Sequence, residues 1–451
     1  MIGGGAAGIA AARAAVRRQR RVVLVQDGEV GGDCTFTGCV PSKTLIAAAA
    51  EGASFPAAMS RVRSTVARIA ATETADVLRA EGIDVVDGRA RFTARRTVEV
   101  AGRRLVANRV VIATGTAPLV PPVPGLSQSP YLTNETVFEL TEAPASLVVL
   151  GGGPIGCELA QAFARLGVPV TIVEAAARLL TKEEPEAGAV VRAALERDGV
   201  EVRTGVSATR VDPDDGGVRV ELAGGEALHT ARLLVTVGRR PLTDGLGLEA
   251  AGVDVDERGY VRTTSRLVTS ADGVYAAGDV TGRLMFTHAA DEMGRLAASN
   301  ALRRTSHRRF HAESTPWVTF TDPEVAHVGM SEEEAAGTGA RVAFLPMTAV
   351  DRAVTAGRTE GFVKLLAGPR RLTGRAGGGR ILGATIVAPH AGEMIHEIAL
   401  AMRTGMYTGR LAQTVHAYPT YSAGIRSAAS QFFLTLDGRT ARPARRSLPA
   451  R

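Results

Sequence analysis

The sequence predicts an α/β protein built on two doubly wound units of parallel sheet. Two stretches carry that prediction: the opening MIGGGAAGIAAARAA with the apolar run RVVLV after it, and Ser146 to Glu174, SLVVLGGGPIGCELAQAFARLGVPVTIVE. Each joins a glycine-rich turn to a helix and then to an apolar strand, the pattern of a β-α-β unit. Length is the third observation. A chain of 451 residues exceeds what one core covers and divides into about two to four domains.

In the first stretch Gly3, Gly5 and Gly8 spell G-x-G-x-x-G before a helix of alanines and arginines. Glycines at these places let a pyrophosphate approach the helix N-terminus, where unpaired N–H groups and the dipole meet it. The following strand, Arg21 to Val25, ends at Gln26, where an acidic residue usually receives a ribose hydroxyl; Gln26 can hydrogen-bond it more weakly, and Asp27 stands beside it. Of the strand that should precede Gly3, only Met1 and Ile2 remain. In a doubly wound sheet that strand is central, and losing about four apolar residues at ~1.5–3 kcal/mol each rivals a whole stability of ~5–15 kcal/mol. The expectation is therefore a natural start upstream, which mass spectrometry of the native N-terminus tests.

Gly31 to Thr44, GGDCTFTGCVPSKT, holds two of the three cysteines, Cys34 and Cys39, ahead of an alanine-rich run with helical character from Leu45. Residues five apart on a regular helix diverge, whereas a disulfide needs Cα atoms about 4.4–6.8 Å apart. The turn must be distorted, and Gly38 supplies the backbone freedom. A thiol near a helix start also feels the positive end of the dipole, which lowers its pKa. The pair reads as a redox-active dithiol; a structural disulfide or two ordinary buried cysteines is the plainer alternative.

Further along, Ala47 to Arg79 is mostly helical, with short strands around Ile83–Val86, Ala90–Phe92 and Thr97–Val100. The strand Arg109 to Ala113 runs into Thr114 and Gly115, closing part of a nucleotide site, and the prolines at 121, 122 and 124 mark a linker. In the second glycine-rich unit Gly151, Gly153 and Gly156 precede a helix and strand ending at Glu174. A carboxylate there binds a ribose 2′-hydroxyl and repels a 2′-phosphate, which favours NAD(H) over NADP(H), although Arg178 is close by. Cys157 reads as a small core residue, and Glu158 lies on a helix that would run beneath a nicotinamide. Strand-like Val200–Thr204 and Leu233–Val237 continue the unit. Gly238-Arg239-Arg240-Pro241 ends the insertion, and Gly273 to Asp279, GVYAAGD, delivers an aspartate suited to a ribityl hydroxyl.

Taken in order, GGDCTFTGCVPSK, the two glycine-rich units, ATGTAP, GRRP and AAGD resemble the pyridine nucleotide-disulfide oxidoreductases, a family that includes dihydrolipoamide dehydrogenase, glutathione reductase and mercuric reductase. The resemblance implies two Rossmann-like dinucleotide-binding domains and a C-terminal α+β dimerisation domain. It places an FAD-binding domain at 1–130 and 241–310, an NAD(P)-binding domain at 131–240, an interface domain at 311–436 and a basic, disordered tail at 437–451. Pro316 to Gly329 resembles the start of the interface domain, and Glu360–Leu366 and Ile381–Val387 its strands. By the same resemblance Cys39 faces the flavin, Cys34 is the interchange thiol, Lys43 pairs with Glu158, and Asp279 holds the ribityl chain. The resemblance also adds Gly32, Thr114, Gly115, Gly238 and His288 to the cofactor-binding set. It implies a homodimer in which the partner's C-terminal segment completes the active site.

The departures bear on the acceptor. Disulfide-reducing relatives carry His-Pro near the C-terminus and a glutamate five residues after the histidine, a pair that moves a proton at the interchange thiol. Here the segment is VHAYPTYSAG: Tyr418 takes the histidine place, Ala423 the glutamate place, and His416 lies two residues upstream as a possible substitute. Tyrosine, with an ordinary pKa near ~10, is a poor base at neutral pH. A tyrosine at this place resembles mercuric reductase, whose soft metal substrate needs thiolate ligands rather than a proton; yet no cysteine follows Cys157. The resulting expectation is electron flow from NAD(P)H through FAD and Cys34–Cys39 to a disulfide or Hg(II)-like acceptor. The alternatives are dihydrolipoamide dehydrogenase-type activity, direct flavin reduction of a quinone, and a non-catalytic remnant.

Composition narrows the partners. The net charge of +7 comes from abundant arginine, and the most basic stretch is the tail GRTARPARRSLPAR, with no aromatic interleaving to read nucleic acid. No apolar run approaches the ~18–20 residues of a membrane span, no metal-ligating set is apparent, and three cysteines fit a reducing cytoplasm better than a disulfide framework.

Overall fold

The computed structural model describes residues 1–303, 308–370 and 372–446. They form two compact units: Met1–Pro122, Pro130–Pro144 and Leu234–Ala312 in the first, and Val123–Ser129, Ala145–Leu233 and Glu313–Arg451 in the second.

The first unit is organised on parallel strands. Ile83–Asp87 pairs with Val22–Gln26, and Val110–Ile112 with Val274–Ala276. Between these pairs the chain enters as Met1 to Gly3, Ile2 bridging in parallel to both Val25 and Ile112. The Met1 amino group donates to Val23 O at 2.7 Å, and burial pulls its pKa down to about 5. The alanine-rich helix Ala6–Val16 packs on the helix Thr287–Ala301 so closely that a Cβ on Gly294 would stand 2.1 Å from the Ala7 carbonyl oxygen. The expected helical region divides into Cys39–Ala50, Phe55–Ala70 and Ala75–Ala80; the last is capped by Thr74, whose hydroxyl accepts from the Val77 N–H. The strands around residues 90 and 100 belong to an antiparallel meander completed by Arg103–Val106.

The parallel sheet that carries the second glycine-rich turn runs Glu201–Thr204, Val170–Glu174, Leu147–Leu150, Arg232–Val235. Leu147–Leu150 is buried at every residue, as a strand covered on both faces must be. The remainder is a six-stranded antiparallel sheet in the order Trp317–Thr319, Glu324–Gly329, Arg380–Ala388, Phe362–Gly368, Arg341–Pro346, Arg442–Pro443. The helices Ala391–Arg403 and Ala423–Ser430 share its apolar core. Lys364 is buried inside this sheet, its Nζ 3.1 Å from Glu184, 2.7 Å from Glu186 and 3.2 Å from Glu332; three carboxylates compensate the one desolvated cation.

The tail corrects the expectation of disorder over its described part. Arg442 and Pro443 pair with Val342 and Arg341 as an edge strand, and the Arg442 guanidinium meets the Glu332 carboxylate. An open sheet edge and a nearly buried counter-charge offset the entropy that composition alone predicts for this segment. Residues 447–451 lie outside the described residues.

Candidate active site

Gly31 to Thr44 folds as two helices, Gly32–Phe36 and Cys39–Ala50, broken at Thr37 and Gly38. The helix expected from Leu45 therefore begins at Cys39. Pro41 is no obstacle, because a helix's first turn has no intrahelical use for its N–H groups. Gly31 (φ 129°) and Gly32 (φ 69°) open the turn in the left-handed region. Gly38 acts through space rather than through a left-handed φ: its φ is −117°, and a Cβ there would lie 2.9 Å from Asp33 O and 3.2 Å from Cys34 Cα. With no side chain at 38, the second helix starts against the end of the first.

Cys34 and Cys39 stand as thiols with their side chains hydrogen-bonded to each other, and Cys39 Sγ lies 3.4 Å from Thr287 Oγ1. For Cys34 the expected lowering of pKa is reversed. Its hydrogen bond to Cys39 pushes it up, burial and the charges of Cys39 and Asp33 push the same way, and only the Thr287 hydroxyl opposes them. Lys43, on the second helix, donates to Ser42 Oγ at 3.3 Å.

The loops near this turn are built on close glycine contacts. Gly8 approaches Gly3 so closely that a Cβ would stand 1.8 Å from the Gly3 carbonyl oxygen, and Gly32 packs backbone to backbone on Gly5. Gln26 accepts from the Gly4 N–H at 2.5 Å and donates to the carbonyls of Asp27 and Glu29. At the end of the ATG strand, Gly115 has φ 73° with open space where a Cβ would point, and the buried Thr114 hydroxyl has no hydrogen-bond partner. Asp279, nearly buried, accepts from Thr116 Oγ1 at 3.3 Å; burial raises its pKa against the pull of the Arg239 charge. Gly238 has φ 159° and its carbonyl accepts from the Leu119 N–H. His288 is the second residue of the helix Thr287–Ala301, its ring stacked 5.7 Å from Phe286.

The second unit repeats the arrangement. Gly151 has φ 107°, Gly153 caps the helix Pro154–Arg165 with open space at its Cβ position, and Gly156 is buried in that helix. Glu174 accepts from the N–H of Gly152 at 2.6 Å and of Ala176 at 2.7 Å. The Gly152–Glu174 and Gly4–Gln26 bonds span the same 22 residues, so Gln26 and Glu174 hold equivalent places in their units. Arg178 turns to the carbonyls of Leu180 and Thr181. Cys157 is fully buried, its thiol donating to Gly152 O at 3.4 Å, in keeping with a core role. Glu158 is buried and accepts from the Phe320 N–H at 2.8 Å.

Near the C-terminus, both His416 ring nitrogens face oxygens: Nδ1 is 3.0 Å from Thr414 O, and Nε2 is 3.1 Å from each Glu397 carboxylate oxygen. Tyr418 is exposed, and its hydroxyl donates to Asp351 Oδ2 at 2.9 Å, which raises its pKa. Ala423 opens the helix Ala423–Ser430.

Residues 1–294 match the family model "Pyridine nucleotide-disulphide oxidoreductase", and residues 315–429 match the dimerisation domain of the same family. The chain belongs to the pyridine nucleotide-disulphide oxidoreductases. It is 37% identical to a mercuric reductase of Streptomyces lividans over 96% of this chain and 95% of that one. It is also 37% identical to a dihydrolipoyl dehydrogenase of Thermus scotoductus, over 95% and 96%. Among solved structures, the HOCl-induced flavoprotein disulfide reductase RclA from Escherichia coli superposes with a TM-score of 0.87 at 31% identity, covering 95% of this chain and 98% of that one.

Pyridine nucleotide-disulphide oxidoreductases are FAD-dependent, with NAD(P)H as donor. The first unit fits that cofactor: Gly115 leaves open space at the end of the strand, the Thr114 hydroxyl is orphaned, and Asp279 presents a carboxylate to Thr116. The dimerisation domain supports a homodimer. No helix among the described residues is long and apolar enough to cross a membrane. They also hold no group of three or more His, Cys, Asp or Glu side chains placed to bind a metal ion.

Two residues that the sequence left without a role, Arg239 and Asn134, bind the Asp33 carboxylate. Arg239 donates to Asp33 Oδ2 at 2.5 Å and to Thr116 Oγ1 at 2.7 Å, while Asn134 donates to Asp33 Oδ1 and to Thr37 O at 3.3 Å each. The available signal was a charge, Asp33, inside a glycine-rich redox turn, and an arginine in GRRP without a stated partner.

Proposed function

We propose that the chain is an FAD-dependent, NAD(P)H-oxidising reductase that passes electron pairs through Cys34 and Cys39 to an acceptor disulfide or a thiophilic, Hg(II)-like ion. The observation that carries this reading is the hydrogen-bonded thiol pair across a turn that has no room for a side chain at Gly38. FAD, when bound, supplies hydride chemistry that side chains lack. The residues act at the acceptor. With a disulfide, the Cys34 thiolate attacks one acceptor sulfur and expels the other, which takes up a proton. Cys39 then attacks Cys34 and releases the second thiolate, leaving Cys34 and Cys39 joined by a disulfide. With a thiophilic dication both thiolates ligate the ion, and two electrons pass to it as the S–S bond forms.

Tyr418 favours the metal acceptor. Its pKa is raised by Asp351, so it is a poor proton shuttle near neutrality, and a metal ion needs no proton on departure. Among relatives of the chain, the mercuric reductases are in keeping with this. We favour NADH as donor because a carboxylate at Glu174, at the end of the second strand, would repel a 2′-phosphate, while Arg178 donates to backbone carbonyls. A homodimer in the cytoplasm, with the partner's C-terminal segment at the dithiol, completes the reading.

The test is an anaerobic acceptor panel of lipoamide, glutathione disulfide, Hg(II) and a quinone, run with NADH and NADPH on the FAD-loaded chain and its Cys34→Ser variant. The variant should lose at least ~100-fold in turnover with disulfides and Hg(II) while NADH still bleaches the flavin. Undiminished turnover by Cys34→Ser would assign direct reduction by the flavin instead.

A further inference from the structure

The helix that carries Cys34 is five residues long, Gly32–Phe36. A helix that short cannot hold itself, because nucleation costs more than one turn of hydrogen bonds returns. Its side-chain anchors converge on Asp33. The Asp33 carboxylate accepts from the Thr37 hydroxyl on its own turn, from Asn134 Nδ2 at 3.3 Å and from Arg239 at 2.5 Å. Arg239 is itself on rigid ground. It lies in a strand, Arg239–Pro241, paired antiparallel with Thr116–Pro118; its Nε donates to Thr116 Oγ1, and its carbonyl accepts from Tyr260 Oη at 3.0 Å. Asp33 also borders the contact that admits Cys39, since its carbonyl oxygen is the atom that a Cβ at Gly38 would meet first, at 2.9 Å. A shift of Asp33 thus moves both Cys34 and the wall against which the second helix starts.

We propose that Arg239 is a positioning residue of the dithiol: through Asp33 it holds the short helix where Cys34 meets Cys39, and so sets how readily the two sulfurs close into a disulfide. Arginine suits this place because its planar fork binds Thr116 and Asp33 together, which a lysine cannot do. The inference rests on the redox reading of Cys34 and Cys39.

The test is equilibrium of the FAD-loaded chain in anaerobic glutathione buffers, where one glutathione disulfide and the two thiols give the Cys34–Cys39 disulfide and two glutathione thiols. The disulfide fraction is read by trapping free thiols and mass spectrometry. Arg239→Gln should shift the equilibrium about tenfold toward the dithiol, equivalent to ~30 mV. Asp33→Asn should shift it in the same direction, and the double variant no further than the larger single one, because both act through one contact. Arg239→Lys should fall between wild type and Arg239→Gln. A wild-type equilibrium in Arg239→Gln, or additive shifts in the double variant, overturns the proposal. If Arg239→Gln does not fold, Asp33→Asn decides alone: a wild-type equilibrium there also overturns it. A wild-type chain that forms no disulfide at any glutathione ratio refutes the redox reading itself, which keeps the two failures apart.

Discussion

Gly38 shows how one missing side chain positions two others. A Cβ at this residue would meet the Asp33 carbonyl oxygen at 2.9 Å, and that oxygen accepts from the Thr37 N–H, so it cannot swing aside. Gly38→Ala must instead push the start of the second helix away from the first. We expect a loss of about 1–3 kcal/mol in stability, as for other overpacked contacts, and slower disulfide closure on oxidation with diamide. Thermal unfolding and timed thiol trapping measure the two effects; unchanged closure would show that the turn tolerates a side chain. The cysteines and the glycine were legible in the sequence because their spacing alone demands a distorted turn. The direction of the Cys34 shift was not, since it comes from the hydrogen bond to Cys39, burial and the Asp33 charge, which the fold brings together.

At the scale of elements, the strand Glu324–Gly329 carries a buried histidine with consequences for pH. His327 Nε2 is 3.0 Å from Gly329 O and Nδ1 is 2.8 Å from Thr385 Oγ1, so the neutral ring donates to the carbonyl and accepts from the hydroxyl. Burial lowers its pKa from 6.5, against the opposing pull of Glu183 and of the Gly329 bond. A base with a depressed folded pKa binds its proton first in the unfolded chain, so its stabilising contribution is complete above about 6.5 and is lost as pH falls below that value. His327→Gln should flatten the fall in melting temperature on acidification from pH 7 to 5. One proton corresponds to a slope of ~1.4 kcal/mol per pH unit. A variant with the wild-type slope would assign the acid sensitivity elsewhere. The segment was placed only by its resemblance to the start of an interface domain, whereas both glycine-rich units were read from the residues themselves, because apolar runs and glycine spacing are local signals. The edge strand Arg442–Pro443 was not, since a basic, proline-containing tail becomes a strand only where a partner edge and Glu332 are already in place.

At the scale of the whole molecule, the dimerisation domain leaves apolar side chains in solvent: Val415 is 91% and Tyr418 76% exposed, on the segment that departs most from the disulfide-reducing pattern. Large apolar groups held in water mark an interaction surface. Val415→Asp should shift the chain from dimer toward monomer in sedimentation velocity at micromolar concentration, and an unchanged dimer would place the interface elsewhere.

The sequence by itself determined the two parallel-sheet units, the glycine turns, the position of the dithiol and the equivalence of Gln26 with Glu174, because each is written within about thirty residues of contiguous chain. Only the tertiary structure decided what binds the Asp33 carboxylate beside Cys34. Arg239 lies 206 residues from Asp33 and Asn134 lies 101 away. Contacts at such separations are specified by the packing of strands on one another, and no local spacing encodes them. The same holds for Lys364, a charged residue in an apolar strand that becomes tolerable only once Glu184, Glu186 and Glu332 are folded around it.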